Sequence, residues 1–329
     1  MKILSRIGII LATILLSVTI TFVLIRLMPG DPVTTLAQDI QRTQGASYAD
    51  AVIRAKAMLN YDPDIPIATQ YVNYISKLLQ GNFGQSMYFK LPVVQIIGSG
   101  LTWTLLISTL GLALAFVIGT VAGMYIAWKR RRTILEPITS IWDAIMGAVP
   151  AFVIAYLLIL LFAVHIRLFP TRGNYDVTVT PGWNPRFILS ALQYAALPVI
   201  SLVVTSMGMW AMGMRAASIS VLGEDFILSA RARGLKNSRI IGTYVGRNSL
   251  LPQITALALA FAGLFAGSTV LENLFAYPGI GYYFGKAMTN RDYSLMQALF
   301  LVITLVVVFV NQIADIVYTL VDPRLREGR

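Results

Sequence analysis

The side chains that could carry out chemistry are few and lie far apart along the chain. There is no cysteine and a single histidine, His165, so disulfides, cysteine–metal sites and multi-histidine metal sites are excluded. No G-x-x-x-x-G-K-[ST] phosphate-binding loop is present. The pattern argues against an enzyme and predicts neither a metal site nor a cofactor in this chain.

Three acidic residues, Asp143, Glu272 and Asp315, fall within or near apolar stretches. Acids in such positions are commonly functional, because a charge inside a bilayer is costly unless it is paired. Asp143 and Asp315 lie within about two turns of the predicted cytoplasmic face, where Lys and Arg are plentiful, and this favours structural pairing. For Glu272, a gate and a structural cap remain equally good interpretations.

Residues 215–250 combine basic charge with the pattern of a short helix. Glu224 and Asp225 stand where the positive end of a helix dipole favours acids. Gly234 is the residue type most often found at a left-handed C-terminal cap. The spacing therefore predicts a helix from residue 225 to residue 234, followed by a second amphipathic piece over 237–248.

The predicted helix carries small residues on one face and charges on the other, among them Ala230, Arg231 and Arg233. Small residues permit close approach and charges fix register, which suits docking to a partner protein. The alternative is a simple connector whose basic residues follow the cytoplasmic bias of Lys and Arg.

The acids and the basic loop described above are positioned by apolar stretches that are long enough to cross a bilayer. Hydrophobic residues make up 57% of the 329-residue chain and charged residues only 12%, whereas a soluble domain has roughly 25% charged residues. A span needs about 20 apolar residues. The stretches that qualify are 7–27, 101–128, 138–164, 195–214, 251–275 and 295–320. The sequence thus predicts an all-α membrane protein with six transmembrane helices.

Basic residues set the orientation of these helices. Fifteen Lys and Arg fall in the termini and the loops on their side, against five in the short loops on the other side. Because Lys and Arg concentrate in cytoplasmic loops, both termini are predicted to be cytoplasmic. The net charge of +11 is thereby explained by membrane orientation rather than by nucleic-acid binding.

The chain is predicted to divide near residue 100. Residues 1–100 comprise the first transmembrane helix and an extracytoplasmic segment. In that segment residues 62–81 have the apolar spacing of an amphipathic helix that lies on the membrane or caps the bundle. Residues 101–329 form a five-helix core with the cytoplasmic loop 215–250, and Leu251-Pro252 opens its fifth span.

Motifs at six places, in order, resemble those of a known family. They are 26–32 (RLMPGDP), 81–86 (GNFGQS), 230–235 (ARARGL) with 247–252 (RNSLLP), 272–281 (ENLFAYPGIG), 291–293 (RDY) and 321–326 (VDPRLR). Together they resemble, over nearly the whole chain, the first permease subunit of the dipeptide, oligopeptide and nickel group of bacterial ABC importers. The broader importer signature has Glu-Ala-Ala where this chain has Leu228, Ser229 and Ala230, so the role of its glutamate is not carried over.

The resemblance implies the type I ABC importer permease fold in a prokaryotic cell membrane, with import of oligopeptides by alternating access. ATP and magnesium would bind two separate ATP-binding subunits, and the other implied partners are a second homologous permease, an extracytoplasmic substrate-binding protein and the lipid bilayer. The residues implied to couple to an ATPase are Glu224, Asp225, Ala230, Arg231, Arg233 and Gly234. A further motif, which could act as a gate or have a structural role, contains Glu272, Pro278, Gly279 and Gly281.

The sequence leaves the substrate and its binding residues open. Oligosaccharides, nickel or other small solutes are alternatives to peptides, since the binding protein sets most of that choice. Aromatic residues of the outer segments could stack on sugars (Tyr71, Tyr74, Tyr88 and Trp183), although aromatic residues are common at membrane interfaces in any case. A secondary transporter is a distant alternative that would need an internal repeat and a midplane ion site.

Overall fold

The computed structural model describes the backbone of residues 2–27, 31–59, 62–129 and 135–321. Side chains are described for residues 8–23, 27, 31, 33–59, 62–129, 136–261 and 269–313. Regular structure in these ranges is helical, and the one strand-like pairing among them is an isolated bridge between Gln85 and Pro92.

Thirteen α-helices follow one another along the described chain. They are α1 (Lys2–Leu27), α2 (Pro32–Gln44), α3 (Tyr48–Leu59), α4 (Ile67–Leu79), α5 (Val93–Lys129), α6 (Leu135–Ala148), α7 (Ala151–Leu158), α8 (Pro185–Leu222), α9 (Asp225–Ala232), α10 (Asn237–Arg239), α11 (Arg247–Leu274), α12 (Ile280–Thr289) and α13 (Tyr293–Val321). Two π-helical stretches, Ile159–His165 and Ile240–Gly246, continue α7 and join α10 to α11.

Three of these helices, α5, α8 and α13, are long and apolar enough to cross a bilayer, and the pair α6 and α7 is a fourth candidate. The described apolar part of α1 runs from Gly8 to Val23, and the side chains at 262–268 of α11 lie outside the described residues. The all-helical architecture is therefore confirmed, whereas the count of six spans stays a prediction.

The stretch predicted to span the membrane over 138–164 is broken in two at Pro150. Helix α6 ends at Ala148, α7 begins at Ala151, and the two are bent by 100°. Pro150 stands between them with a non-helical ψ of 140°. A proline has no N–H to donate and its ring crowds the preceding turn, so the helix breaks there. Pro198, in contrast, lies inside α8 without ending it.

One compact unit comprises Met1–Thr104 and Pro278–Val308. The start of α5 packs against α12 and α13 through an apolar core that includes Val93, Ile96, Ile280, Leu295 and Leu299. Helices α2 and α3 form a hairpin with its own core.

The sequence interpretation missed the α2–α3 hairpin. Asp31 caps α2, because its carboxylate accepts hydrogen bonds from the N–H groups of Val33 (3.0 Å) and Thr34 (3.3 Å). An aspartate followed by a proline is the sequence signal for this start. The predicted amphipathic helix over 62–81 is present as α4, shortened because Pro66 forms its N-cap.

The second compact unit comprises Leu105–Tyr277 and Phe309–Arg329. Helices α5 and α8 approach closely along Gly111, Gly119 and Gly123. A Cβ atom added at Gly119 would lie 2.6 Å from the Cβ of Trp210, so no larger residue fits without a shift. Helix α6 also packs on α8, where the indole N–H of Trp142 donates to the carbonyl of Val204 at 3.0 Å.

Candidate coupling site

The short helix predicted within residues 215–250 is present as α9, Asp225–Ala232. Glu224 is its N-cap residue in extended conformation, and Asp225 supplies the acid of the first turn. At the other end Gly234 has φ +70°, its N–H donates to Arg231 O at 2.9 Å, and the N–H of Leu235 donates to Ala230 O at 3.3 Å. This is the Schellman ending. A residue in the left-handed conformation turns the chain so that its own N–H and the next N–H donate to the last helical carbonyls.

Helix α9 has one buried face and one free face. Ile227 and Ala230 are 1% and 3% exposed and pack in an apolar cluster with Ala127, Leu222, Ile240 and Val245. On the opposite face Leu228 is 69% exposed. Glu224, Asp225, Arg231, Arg233 and Gly234 are also exposed. Of the predicted coupling residues, the structure thus buries Ala230 and leaves the other five at the surface.

The apolar cluster under the buried face of α9 connects α9 to two long helices, α5 and α11. Ala127 belongs to the last turn of α5, and Ile240 and Val245 belong to the π-helical stretch that runs into α11. The guanidinium of Arg231 also lies over the Trp128 ring, 5.7 Å from its centroid. A cation over an indole face is attracted by about 0.5–1 kcal/mol at an exposed site. A displacement of α9 would therefore pull on both α5 and α11.

Trp128 was missed as a member of this site, since the sequence interpretation placed it only at the end of a span. The signal was the aromatic residue directly before the basic run that begins at Lys129. An ion pair between Glu136 of α6 and Arg215 of α8 was also missed. It joins the start of α6 to the helix that leads into α9.

The second piece predicted over 237–248 is helical, but the helix does not stop where Leu251-Pro252 was expected to open the next span. Backbone from α10 through the π-helical stretch into α11 is continuously helical, and Pro252 lies inside α11. Burial of Ile240 (0% exposed) and Val245 (2%) favours continuing the helix, so tertiary packing outweighs the local signal of the proline.

A surface cavity of about 430 Å³ lies beside α9. Its lining residues come from α9, from the π-helical stretch and from the start of α11 (Phe226, Thr243, Tyr244, Arg247 and Asn248). Asn248 donates from its side-chain amide to Tyr244 O at 2.7 Å. The cavity therefore places the aromatic rings of Phe226 and Tyr244 and the guanidinium of Arg247 next to the exposed face of α9.

Glu272 lies in the last turn of α11 and is fully buried, at 0% exposure. Tyr277, also at 0% exposure, donates its backbone N–H to Glu272 O at 2.8 Å. Burial raises the pKa of the Tyr277 hydroxyl, and the negative charge of Glu272 raises it further. Glu272 and Tyr277 are therefore two buried polar residues at this end of α11.

The other residues of that motif start the next helix. Gly279 is the N-cap of α12 in extended conformation. The N–H of Ile280 donates to Thr104 Oγ1 at 2.8 Å, and a Cβ at Gly100 would lie 3.3 Å from the carbonyl carbon of Gly279. Gly281 is buried in the first turn of α12. Pro278, Gly279 and Gly281 thus stand at a tight helix start, and their assignment as a gate stays a prediction.

The expected pairing of Asp143 with a basic residue is not found within the described side chains. Asp143 is partly exposed and packs against α8, where a Cβ at Gly208 would lie 2.9 Å from its Oδ1 atom. Asp315 lies outside the described side chains. Across those same side chains no cluster of three His, Cys, Asp or Glu is arranged to hold a metal ion.

Comparison with known proteins decides the family. The family model described as "Binding-protein-dependent transport system inner membrane component" matches residues 115–327. The chain belongs to this family. The chain is therefore a multi-pass transport subunit of an inner membrane. The matched residues include α9 and the motif that contains Glu272.

Curated relatives of this transport component match it over nearly its whole length. The oligopeptide transport system permease protein OppB of Haemophilus influenzae is 34% identical, covering 96% of each chain. The probable peptide ABC transporter permease protein y4tP of Sinorhizobium fredii is 32% identical, covering 93% of this chain and 92% of its own. The di/tripeptide transport system permease protein DppB of Pseudomonas aeruginosa is 31% identical, covering 98% of each.

A solved structure supports the fold of the transport component. The MetNI methionine ABC transporter, in an inward-facing form, matches with a TM-score of 0.55 and 15% identity. The match covers 69% of this chain and 97% of the MetNI chain. At that identity the likeness shows the fold alone, which is the permease fold implied by the sequence motifs.

Proposed function

We propose that this chain is the permease subunit of an ATP-driven importer of peptides, with six transmembrane helices and both termini in the cytoplasm. The proposal rests chiefly on α9, which is anchored by one apolar face and leaves Leu228 and its charged neighbours free. A short rigid helix of this kind is suited to fit a groove on an ATPase subunit.

The mechanism follows from the ties beneath α9. ATP binding would close two ATPase subunits, and α9 would move with the subunit that holds it. Because its buried residues pack against α5 and against the extension of α11, that motion would reach the transmembrane helices. A rigid-body shift of this kind can exchange access between the two sides of the membrane.

The assembly that we propose contains a second homologous permease, two ATP-binding subunits and an extracytoplasmic substrate-binding protein. ATP and magnesium belong to the ATP-binding subunits. Within this chain residues 1–100 act as the N-terminal part, and residues 101–329 act as the five-helix core with the coupling loop 215–250.

Peptides are the proposed substrates because the OppB, DppB and y4tP relatives are named for peptide, oligopeptide or di/tripeptide transport. Two of the four aromatic residues considered for sugar stacking are engaged elsewhere, since Tyr71 and Tyr74 pack on Phe22 with centroid distances of 5.0 and 5.7 Å. This weakens the case for oligosaccharides. Uptake of labelled dipeptides, oligopeptides and oligosaccharides by cells with and without the chain would distinguish these substrates.

Docking is tested by changing the free face of α9 without touching its buried face. In Leu228→Lys the chain should still reach the membrane, because the side chain is 69% exposed. Recovery of ATPase subunits with the tagged chain, and peptide uptake, should fall by about tenfold or more, as for a central interface residue. The control is Ser238→Lys, which adds the same charge at an exposed position in α10.

The outcomes separate the two levels of the proposal. If Leu228→Lys behaves like Ser238→Lys, α9 is not the docking element. If no ATPase subunit is recovered with the unaltered chain either, the importer assignment itself fails.

A further inference from the structure

Helix α4 is fixed to α1 at one turn of each helix. The hydroxyl of Tyr71 and the Thr19 Oγ1 atom share a hydrogen bond of 2.7 Å. The Tyr71 ring meets the Phe22 ring edge to face at 5.0 Å, and Tyr74 packs on the same ring. These contacts set the level along α1 at which α4 lies.

That level falls inside the apolar part of α1. No charged residue occurs between Arg6 and Arg26, and those 19 residues span about 28 Å at 1.5 Å per residue, close to a hydrocarbon core of about 30 Å. Thr19 precedes Arg26 by seven residues, which places it about 10 Å inside that end of the span. Helix α4 is therefore held at the depth of acyl chains rather than above the membrane.

The surface of α4 that faces away from α1 has two stripes of different chemistry. Val72, Ile75 and Leu79 follow helical spacing, with Val72 64% and Leu79 83% exposed. Exposed Thr69, Asn73 and Ser76 form the second stripe, about a quarter of a turn away. An amphipathic helix with this division lies in a membrane interface with its apolar side about 5–10 Å below the headgroup boundary.

We propose that α4 lies within the bilayer, in the leaflet at the C-terminal end of α1. Its stripe Val72, Ile75 and Leu79 contacts lipid acyl chains, and its stripe Thr69, Asn73 and Ser76 faces headgroups and water. Lipid is the occupant because Tyr71 and Tyr74 fix α4 beside the apolar part of α1. At that level of α1, Leu16, Ile20 and Val23 are themselves 62%, 48% and 46% exposed. The proposal is independent of the substrate and of ATPase docking.

The absence of cysteine makes a direct test practical. Single cysteines are introduced as Val72→Cys, Ile75→Cys, Asn73→Cys and Ser76→Cys in the full chain, which is labelled with a nitroxide and reconstituted into phosphatidylethanolamine–phosphatidylglycerol vesicles. EPR power saturation then compares collisions with oxygen, which concentrates in acyl chains, and with nickel ethylenediamine diacetate, which stays in water.

The ratio of oxygen to nickel collisions should be about fivefold higher at 72 and 75 than at 73 and 76, because the two stripes meet different media. Equal ratios at neighbouring positions 72 and 73 would place α4 outside the bilayer and overturn the proposal. Low accessibility to both reagents at 72 and 75 would also overturn it, since it would mean that another protein surface covers the stripe.

A second comparison keeps the proposal testable if labelling disturbs the chain. Val72→Asp should lower the amount of chain recovered in membranes by about threefold or more relative to Asn73→Asp, because a carboxylate is disfavoured among acyl chains. Equal recovery of the two variants would contradict a lipid contact at Val72.

Discussion

Two corners of the chain have the same backbone geometry. One lies between α9 and α10, and the other lies between α12 and α13. Each helix ends in a left-handed residue, Gly234 with φ +70° in the first and Arg291 with φ +54° in the second. In the second corner the N–H of Asp292 donates to Ala287 O at 2.8 Å, which matches the bond from Leu235 to Ala230 in the first. Both are Schellman endings.

The corners differ in the direction of their charged groups. The α9 corner buries apolar side chains and leaves its acids and arginines exposed. The α12 corner buries Asp292 completely, and its carboxylate accepts hydrogen bonds from Ser86 Oγ (2.5 Å), Tyr88 N (3.1 Å) and Leu295 N (3.2 Å). A motif whose charges are exposed can act on a partner, whereas a motif whose charge is buried holds its own fold.

The largest effect is expected where a buried charge is removed. Asp292→Ala leaves three donors without an acceptor and should destabilise the fold by about 3 kcal/mol. Thermal unfolding of the purified chain in detergent would measure it. Asp225→Ala in the exposed corner should change stability by no more than about 0.5 kcal/mol. Equal unfolding temperatures for the two variants would erase the distinction between the corners.

The next effect concerns the left-handed glycine of the exposed corner. Gly234→Val should cost roughly 1–2 kcal/mol more than Gly234→Asn, since asparagine tolerates the left-handed region and valine does not. No atom lies within 4 Å of a Cβ placed there, so the cost comes from the backbone and not from a clash within this chain. Unfolding temperatures and ATPase recovery of the two variants would measure it, and identical behaviour would refute the backbone explanation.

A smaller gain is expected at the equivalent residue of the buried corner. Arg291→Gly should stabilise the fold by about 0.5 kcal/mol, because relief of left-handed strain exceeds the added flexibility of the unfolded chain. Asn290→Gly, at φ −98°, should lower stability instead. Thermal unfolding of both variants checks the sign, and a loss at position 291 would show that the arginine side chain itself matters.

The smallest effect is expected at an ion pair that is only partly exposed, between Lys56 and Asp62. The Lys56 ammonium lies 2.8 Å from Asp62 Oδ1 and also pairs with Asp64. The hydrogen bond from Lys56 and that from the Asp64 N–H lower the pKa of Asp62. A depressed folded-state pKa gives stability that is present above the unfolded pKa, about 4, and is lost as the pH falls through the folded value.

The unaltered chain should therefore unfold at a slightly higher temperature than Lys56→Gln at pH 7, and the difference should shrink as the pH falls below about 4. Added salt should reduce it as well, because exposed pairs are screened. A difference that persists in acid would contradict the pairing as its source.

Sequence reasoning succeeded where the signal is local. The acids at 224 and 225, the small residues that follow and the glycine at 234 specify a short capped helix on their own, and the structure has it at Asp225–Ala232. The long apolar runs likewise specify helices, and the ordered motifs specify the transport family. These features depend on neighbours within a few residues or on composition, so no distant contact was needed to find them.

Only the tertiary structure decided which side each motif faces. Asp225 and Asp292 are both aspartates near a helix start, and nothing local distinguishes the exposed one from the one that meets Ser86 and Tyr88, about two hundred residues earlier in the chain. The break at Pro150, the helix that continues through Pro252 and the contact of α4 with Thr19 of α1 are of the same kind. Each depends on whether contacts with distant side chains stabilise or oppose the conformation that the local sequence favours. A short window of sequence does not contain those contacts.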